Sequence, residues 1–128
     1  MSVENHTIDN PKTAPWGLRI TEADYHKMAG GFEAEQMEQQ WEVVTEKLDG
    51  GRLVVHIARS WTKEDFYILT VAAEKEGGSA VVEKLTWENK PGHNTSEEQG
   101  KEEAVELVRG LLGCDLDGYP GGWRPAKK

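Results

Sequence analysis

The chain has 128 residues and a formal net charge of −8, from 15 lysines and arginines against 23 aspartates and glutamates. That length suits one domain, and the acidic balance disfavours binding to nucleic-acid polymers and to anionic membrane surfaces. No apolar run is long enough to span a bilayer, and residues 1–15 lack the apolar stretch of a secretion signal. The single cysteine, Cys114, excludes an internal disulfide, so we predict a cytoplasmic protein.

Both ends of the chain are rich in polar residues, proline and glycine. Residues 1–15 show no apolar periodicity, and residues 117–128 contain three glycines and two prolines. Such segments seldom form regular structure. We therefore predict a flexible arm over residues 1–15, a single folded domain over residues 16–116, and a flexible tail over residues 117–128.

The first predicted element is a short helix that begins after Thr21, a residue type that caps helices. Asp24 lies three positions later, as the acid of a capping box does. Gly30 and Gly31 indicate where the helix ends. The apolar residues at helical spacing are Tyr25, Met28, Ala29 and Phe32.

Four strand-like runs follow, over residues 41–48, 52–60, 66–73 and 80–87. They are rich in β-branched and aromatic residues and are joined by short segments that contain glycine. Asp49, Gly50 and Gly51 form a hairpin signal between the first two runs, because glycine tolerates the positive φ of tight turns. This pattern predicts an antiparallel meander.

A longer helix is predicted over residues 96–112, with Ser96 and Gln99 as a capping box and Gly113 as its C-cap. Its apolar stripe comprises Ala104, Val105, Val108, Leu111 and Leu112, and its solvated face comprises Glu97, Glu98, Glu102, Glu103 and Glu106. The sum is an α+β fold: a four-stranded antiparallel meander sheet with a short N-terminal and a longer C-terminal helix on one face. The other face is left for water, a ligand or a partner.

The second strand carries the residues most suggestive of a binding site. Side chains alternate along a strand, so Arg59 ends the apolar face while His56 and Ser60 lie on the other. Arginine offers a planar fork of donors for phosphate or carboxylate, and tryptophan offers a flat face for a base or sugar. We predict a ligand-binding site formed by Arg59, Ser60, Trp61, Trp41 and His56.

The string His-x-x-Arg-Ser-Trp-Thr at residues 56–62, together with Trp41 at the start of the preceding strand, resembles a group of small uncharacterised proteins from bacteria and fungi. The resemblance is strongest over those residues and extends loosely from Asp24 to Leu112. It implies a single small domain and supplies no reaction.

Two functional hypotheses follow from these residues. In the first, the domain binds an anionic small molecule similar to a nucleotide or ADP-ribose, and hydrolysis of that ligand is left open. In the second, the chain is a protein-interaction module or a homodimer that uses its open sheet face or Trp16 and Trp123. A purely structural interpretation competes with both, with Arg59 paired to an acid and Trp61 plugging the end of the sheet.

No catalytic residue, metal site or cofactor is assigned from the sequence. His56 and Ser60 lie four positions apart on one strand, about 13 Å by the strand rise, which is too far for direct proton transfer. The four histidines show no pair at metal-ligand spacing. Cys114 has no neighbouring base or cation in sequence, and we expect it to fill space beside the helix end.

Overall fold

The described part of the chain contains two helices and five strands in the order β-α-β-β-β-β-α. The computed structural model of the protein describes residues 11–32, 41–59, 65–73, 79–88, 96–116 and 119. The elements are β1 (Pro11–Ile20), α1 (Glu22–Gly30), β2 (Trp41–Lys47), β3 (Arg52–Arg59), β4 (Asp65–Ala73), β5 (Ala80–Glu88) and α2 (Glu97–Leu112). A single 3₁₀ turn, Asp49–Gly51, joins β2 to β3.

The described strands form one antiparallel sheet in the order β1-β5-β4-β3-β2. Strands β2 to β5 are the predicted meander, and each predicted run lies within about two residues of an observed strand. The α+β class is therefore confirmed. The expected number of four strands was wrong, because β1 adds a fifth strand beside β5.

Strand β1 was missed because its sequence contains residues that usually interrupt strands. Pro15 pairs with Lys84, and the register then shifts between Pro15 and Leu18, where Gly17 adopts a φ of +77°. An edge strand tolerates both features, since only one side of it must donate to the sheet. Residues 11–15 of the predicted flexible arm thus lie in β1. Residues 1–10 lie outside the described part of the chain.

The helix caps agree with the sequence prediction. The Thr21 hydroxyl accepts a hydrogen bond from the Asp24 N–H, and the Ser96–Gln99 capping box is complete, with both bonds 3.2 Å long. Gly113 ends α2 in the left-handed conformation, and its N–H donates to the Arg109 carbonyl. Local hydrogen bonding therefore sets the helix boundaries.

The core lies between one face of the sheet and the two helices. Met28 of α1 and the Ala104, Val105 and Val108 stripe of α2 are fully buried or nearly so. They share one apolar cluster with the inward-facing strand residues, which include Leu53, Val55, Ile57, Leu69, Val71, Val82 and Leu85. Both helices thus cover the same sheet face, as predicted. No helix in the described ranges is long and apolar enough to cross a membrane.

Two buried charged residues hold the chain that leaves α2. The Asp24 carboxylate accepts the backbone N–H groups of Asp115 and Leu116 at 3.0 and 2.9 Å. The Arg109 guanidinium donates to the carbonyls of Asp115, Leu116 and Tyr119 at 2.9 to 3.1 Å. We call this arrangement the C-terminal clamp. Of the predicted flexible tail, Tyr119 thus contacts the folded domain through its carbonyl; residues 117, 118 and 120–128 lie outside the described part.

Cys114 is fully buried inside the C-terminal clamp, 3.7 Å from the carbonyl of Asp24. Burial, followed by the nearby Asp24 carboxylate, raises the pKa of its thiol from 9.0 to about 12. The thiol is the neutral form, so its burial stabilises the fold fully below pH 9.0, and that contribution is lost as the pH rises towards 12.

We therefore expect Cys114 to resist alkylation by iodoacetamide in the native protein at about pH 8, because the thiolate is the nucleophile. Mass spectrometry after treatment with and without urea measures this, since unfolding exposes the thiol. Equal labelling in both conditions would show that the clamp opens readily.

Candidate functional site

A cavity of about 430 Å³ opens where the end of the sheet meets α2. We call it the Trp41 pocket. Its walls are Trp41, Arg59, Phe66 and Tyr67 from the sheet and Glu103, Glu106 and Leu107 from α2. The volume falls in the range of small-molecule sites, which is about 300–1,000 Å³.

Strand pairing explains how the sheet residues reach the pocket. Trp41, the first residue of β2, pairs with Arg59, the last residue of β3, and directly opposed residues project from the same face. Between β3 and β4 the register shifts, because Ile57 pairs with Tyr67 whereas Ala58 pairs with Asp65. Phe66 is the extra residue of this bulge, so Phe66 and Tyr67 both line the pocket although they are consecutive.

The Arg59 guanidinium is held against two aromatic rings. Its Cζ lies 4.5 Å from the centroid of the Trp41 ring and 5.5 Å from that of Phe66. The two rings meet edge to face, 5.6 Å apart at an interplanar angle of 88°. Such cation–π contacts restrict the long side chain. The donor fork is therefore positioned before any ligand arrives, which reduces the entropy cost of binding.

The opposite wall of the Trp41 pocket is acidic. The Tyr67 hydroxyl donates a hydrogen bond to the Glu103 carboxylate. Glu106 follows three positions later, on the same side of α2, and both glutamates line the cavity. The described lining thus carries one cation and two carboxylates. This balance suits a ligand that brings hydrogen-bond donors and few negative charges.

The structure brings together some of the predicted site residues and separates others. Trp41 and Arg59 meet in the Trp41 pocket. His56 does not line it, because strand alternation places it on the other sheet face, where it is buried and pairs with Val44 and Ile68. Ser60 and Trp61 lie outside the described residues.

Several residues of the pocket were not anticipated as site residues. The sequence marks residue 66 only as the start of a strand-like run. No sequence signal marks the bulge that turns the Phe66 side chain towards the pocket. Glu103 and Glu106 were assigned to a solvated helix face, and both are indeed exposed. Their spacing of three residues places them side by side, but only the packing of α2 brings them opposite Trp41.

Comparison with protein-family models, curated proteins and solved structures gives no significant match for the chain. The chemistry of the site is therefore the basis for assigning a function. In the ranges that the structure describes, no three His, Cys, Asp or Glu side chains are grouped so that they could hold a metal ion.

Proposed function

We propose that the protein binds a nucleoside-like small molecule in the Trp41 pocket: a planar ring with hydroxyl donors and at most one phosphate or carboxylate. One observation carries this proposal. The Arg59 guanidinium is stacked on Trp41 inside a cavity of ligand size, and the α2 wall of that cavity presents two carboxylates.

Each part of such a ligand has a chemical counterpart in the pocket. A base can stack on the plane of the Arg59 guanidinium or on the Phe66 ring, as bases do on arginine and aromatic side chains. Sugar hydroxyls can donate to Glu103 and Glu106, since ionised carboxylates only accept hydrogen bonds. A single phosphate can accept hydrogen bonds from the Arg59 guanidinium, which is a strong donor to phosphate oxygens.

The two glutamates in the lining of the Trp41 pocket limit how many negative charges its ligand can carry. The expected ligand class is therefore narrower than the one predicted from the sequence. Each further phosphate would approach the two glutamates, and two unit charges 4 Å apart repel by about 1 kcal/mol even in water. We therefore expect a nucleoside monophosphate to bind more tightly than ADP-ribose. The proposal is one of binding, and it assigns no reaction to the pocket.

Calorimetric titration with adenosine, AMP and ADP-ribose tests the proposal. We expect AMP to bind, and Arg59→Ala to weaken AMP by about tenfold or more while weakening adenosine less, because the phosphate loses its partner. Lys84→Ala is the control, since Lys84 is an exposed cation on β5 and does not line the pocket. Absence of binding for all three compounds up to about 1 mM would refute the proposal.

The acidic wall gives a second, opposite readout. We expect Glu106→Gln to tighten ADP-ribose, because a repulsive charge is removed, and to weaken adenosine, because amides accept hydrogen bonds less strongly than carboxylates. Glu102→Gln serves as the control on the exposed face of α2. A uniform effect on both ligands would contradict the assigned role of this wall.

The interaction-module alternative has less support in the described part of the chain. The Trp16 ring packs edge to face on the Tyr119 ring, with 6.0 Å between the two centroids. Part of the Trp16 surface is therefore covered by the same chain. The two outer strands of the sheet are also protected against pairing with a second chain. Strand β1 contains prolines, which lack the N–H donor, and the backbone of Phe32 forms a β-bridge with Val43 along the outer edge of β2. Trp123 lies outside the described residues. A homodimer and a cytoplasmic location both stay predictions.

A further inference from the structure

Tyr67 connects the two walls of the Trp41 pocket. It lies on β4 directly after Phe66 of the bulge, and its ring belongs to the core, with 6 % of the residue exposed. Its hydroxyl donates a hydrogen bond to the Glu103 carboxylate of α2. The pocket therefore contains a rigid, buried ring from the sheet whose polar end contacts the acidic wall.

This hydrogen bond restricts the Glu103 side chain. A glutamate on a helix surface ordinarily samples many rotamers, and ordering it costs entropy. The buried Tyr67 ring holds Oε2 of Glu103 in place. The other oxygen, Oε1, can accept a hydrogen bond from a ligand, because each carboxylate oxygen is an acceptor. Glu103 is thus an acceptor that is positioned before a ligand arrives, which reduces the entropy cost of binding.

Glu106 places a second acceptor beside the first. Residues three apart on a helix are neighbours, and both carboxylates line the cavity. Two adjacent acceptors match two adjacent donors, and a ribose presents such a pair, since its 2′ and 3′ hydroxyls lie on the same face of the sugar ring. Carboxylates are established partners of ribose hydroxyls. A 2′-deoxyribose lacks one of the two donors.

We propose that the Trp41 pocket selects ribonucleosides over their 2′-deoxy counterparts, with Tyr67 as the positioning residue. The 2′ and 3′ hydroxyls donate to Glu103 and Glu106, and Tyr67 holds Glu103 in the orientation that accepts them. This selection rests on the proposed function, since the nucleoside must first bind in the pocket with its sugar towards α2.

The exposure of the two glutamates sets the size of the selection. A buried acceptor that loses its hydroxyl donor discriminates by about 10⁴-fold or more, because it is left unpaired. Glu103 and Glu106 are exposed, so water can hydrate them when the hydroxyl is missing. We therefore expect AMP to bind about tenfold more tightly than 2′-deoxy-AMP.

Calorimetric titration with AMP, 2′-deoxy-AMP and arabinosyladenine monophosphate measures the selection. The arabinose epimer keeps the 2′ hydroxyl but directs it to the other face of the sugar, so we expect it to bind no more tightly than 2′-deoxy-AMP. Tyr67→Phe keeps the ring and frees Glu103. It should reduce the preference for AMP over 2′-deoxy-AMP to about threefold or less, with little change in the affinity for 2′-deoxy-AMP.

Tyr25→Phe is the matched control. The Tyr25 hydroxyl donates to the Gly51 carbonyl at 2.8 Å, and Tyr25 does not line the Trp41 pocket, so the preference should persist in this variant. Glu103→Ala gives a second test that spares the core, because Glu103 is exposed, and it should also lower the preference. The preference is a ratio of two affinities in one protein, so partial unfolding of a variant leaves it unchanged.

The possible contrary results separate this selection from the proposed function. Equal affinities for AMP and 2′-deoxy-AMP would overturn the selection and leave nucleotide binding intact. An unchanged preference in Tyr67→Phe would remove Tyr67 from its positioning role, and an unchanged preference in Glu103→Ala would remove the α2 wall from sugar recognition. Absence of binding for both nucleotides would refute the proposed function and the selection together.

Discussion

Replacing Arg109 with methionine is expected to lower the free energy of unfolding by about 3 kcal/mol or more. Methionine fills a similar apolar volume but donates no hydrogen bond. Three backbone carbonyls, those of Asp115, Leu116 and Tyr119, would lose a charged donor. Since Arg109 is fully buried and Leu116 nearly so, water cannot replace that donor without opening the C-terminal clamp.

Urea denaturation followed by tryptophan fluorescence measures this effect. Arg52→Met is the matched control, because Arg52 lies on the surface and its contact with Glu83 is exposed; we expect a change of about 1 kcal/mol or less there. If Arg109→Met lowered the free energy of unfolding by less than about 1 kcal/mol, water would be able to replace the lost donors, and the C-terminal clamp would contribute little to stability.

Replacing Gly31 with alanine is expected to destabilise the protein by about 2–4 kcal/mol. Gly31 has a φ of +66° and a ψ of −170°, a conformation that is almost confined to glycine. An added Cβ would lie 2.6 Å from the Val43 carbonyl oxygen. That oxygen also accepts the Phe32 N–H, so relieving the clash would disturb the bridge that protects the edge of β2.

Gly30→Ala provides the control one residue earlier. Gly30 is the last residue of α1, and an added Cβ there has no atom within 4 Å. We expect that variant to match the wild type or to gain up to about 1 kcal/mol, since alanine favours the helix and restricts the unfolded chain. Similar urea midpoints for Gly30→Ala and Gly31→Ala would contradict this prediction, because the backbone at residues 31–32 would then relieve the clash with no loss in the free energy of unfolding.

The meander and both helices follow from local patterns in the sequence. The caps at Thr21 and Ser96 and the stop at Gly113 depend on residues within four positions of one another, which a sequence displays directly. Strand alternation likewise placed Arg59 at the end of the helix-covered face. Features that depend on neighbours along the chain were therefore predictable.

Features that depend on distant contacts were not. Asp24 has the position of a capping-box acid, yet its carboxylate binds backbone N–H groups beyond α2. Arg109 has the position of a cation that favours a helix C-terminus, yet it is buried. At both positions the local sequence pattern is compatible with a helix-end role and with a long-range hydrogen bond. The packing of α1 beside the end of α2 determines which of these two roles the side chain takes.

The Trp41 pocket shows the same division. Pairing of Trp41 with Arg59 follows from the predicted hairpin, since the turn at Asp49–Gly51 sets the register of β2 and β3. The α2 wall and the bulge at Phe66 required knowledge of how the helix lies on the sheet. The sequence therefore predicted two of the pocket's residues but not the acidic side that limits the ligand's charge.

The position of β1 has a consequence for how the chain folds as it is synthesised. Strands β2 to β5 can pair one after another because the connections between them are short. Strand β1 pairs with β5, and its paired residues Ile20 and Ala80 are roughly sixty positions apart in the chain. Among the described strands, β1 is therefore synthesised before the other four but is the last that can pair in the sheet. Until β5 has been synthesised, the apolar side chains of β1, Ala14, Leu18 and Ile20, have no strand to pair beside and stay exposed to water. The prolines of β1 reduce the risk that this strand pairs wrongly with another chain during that interval.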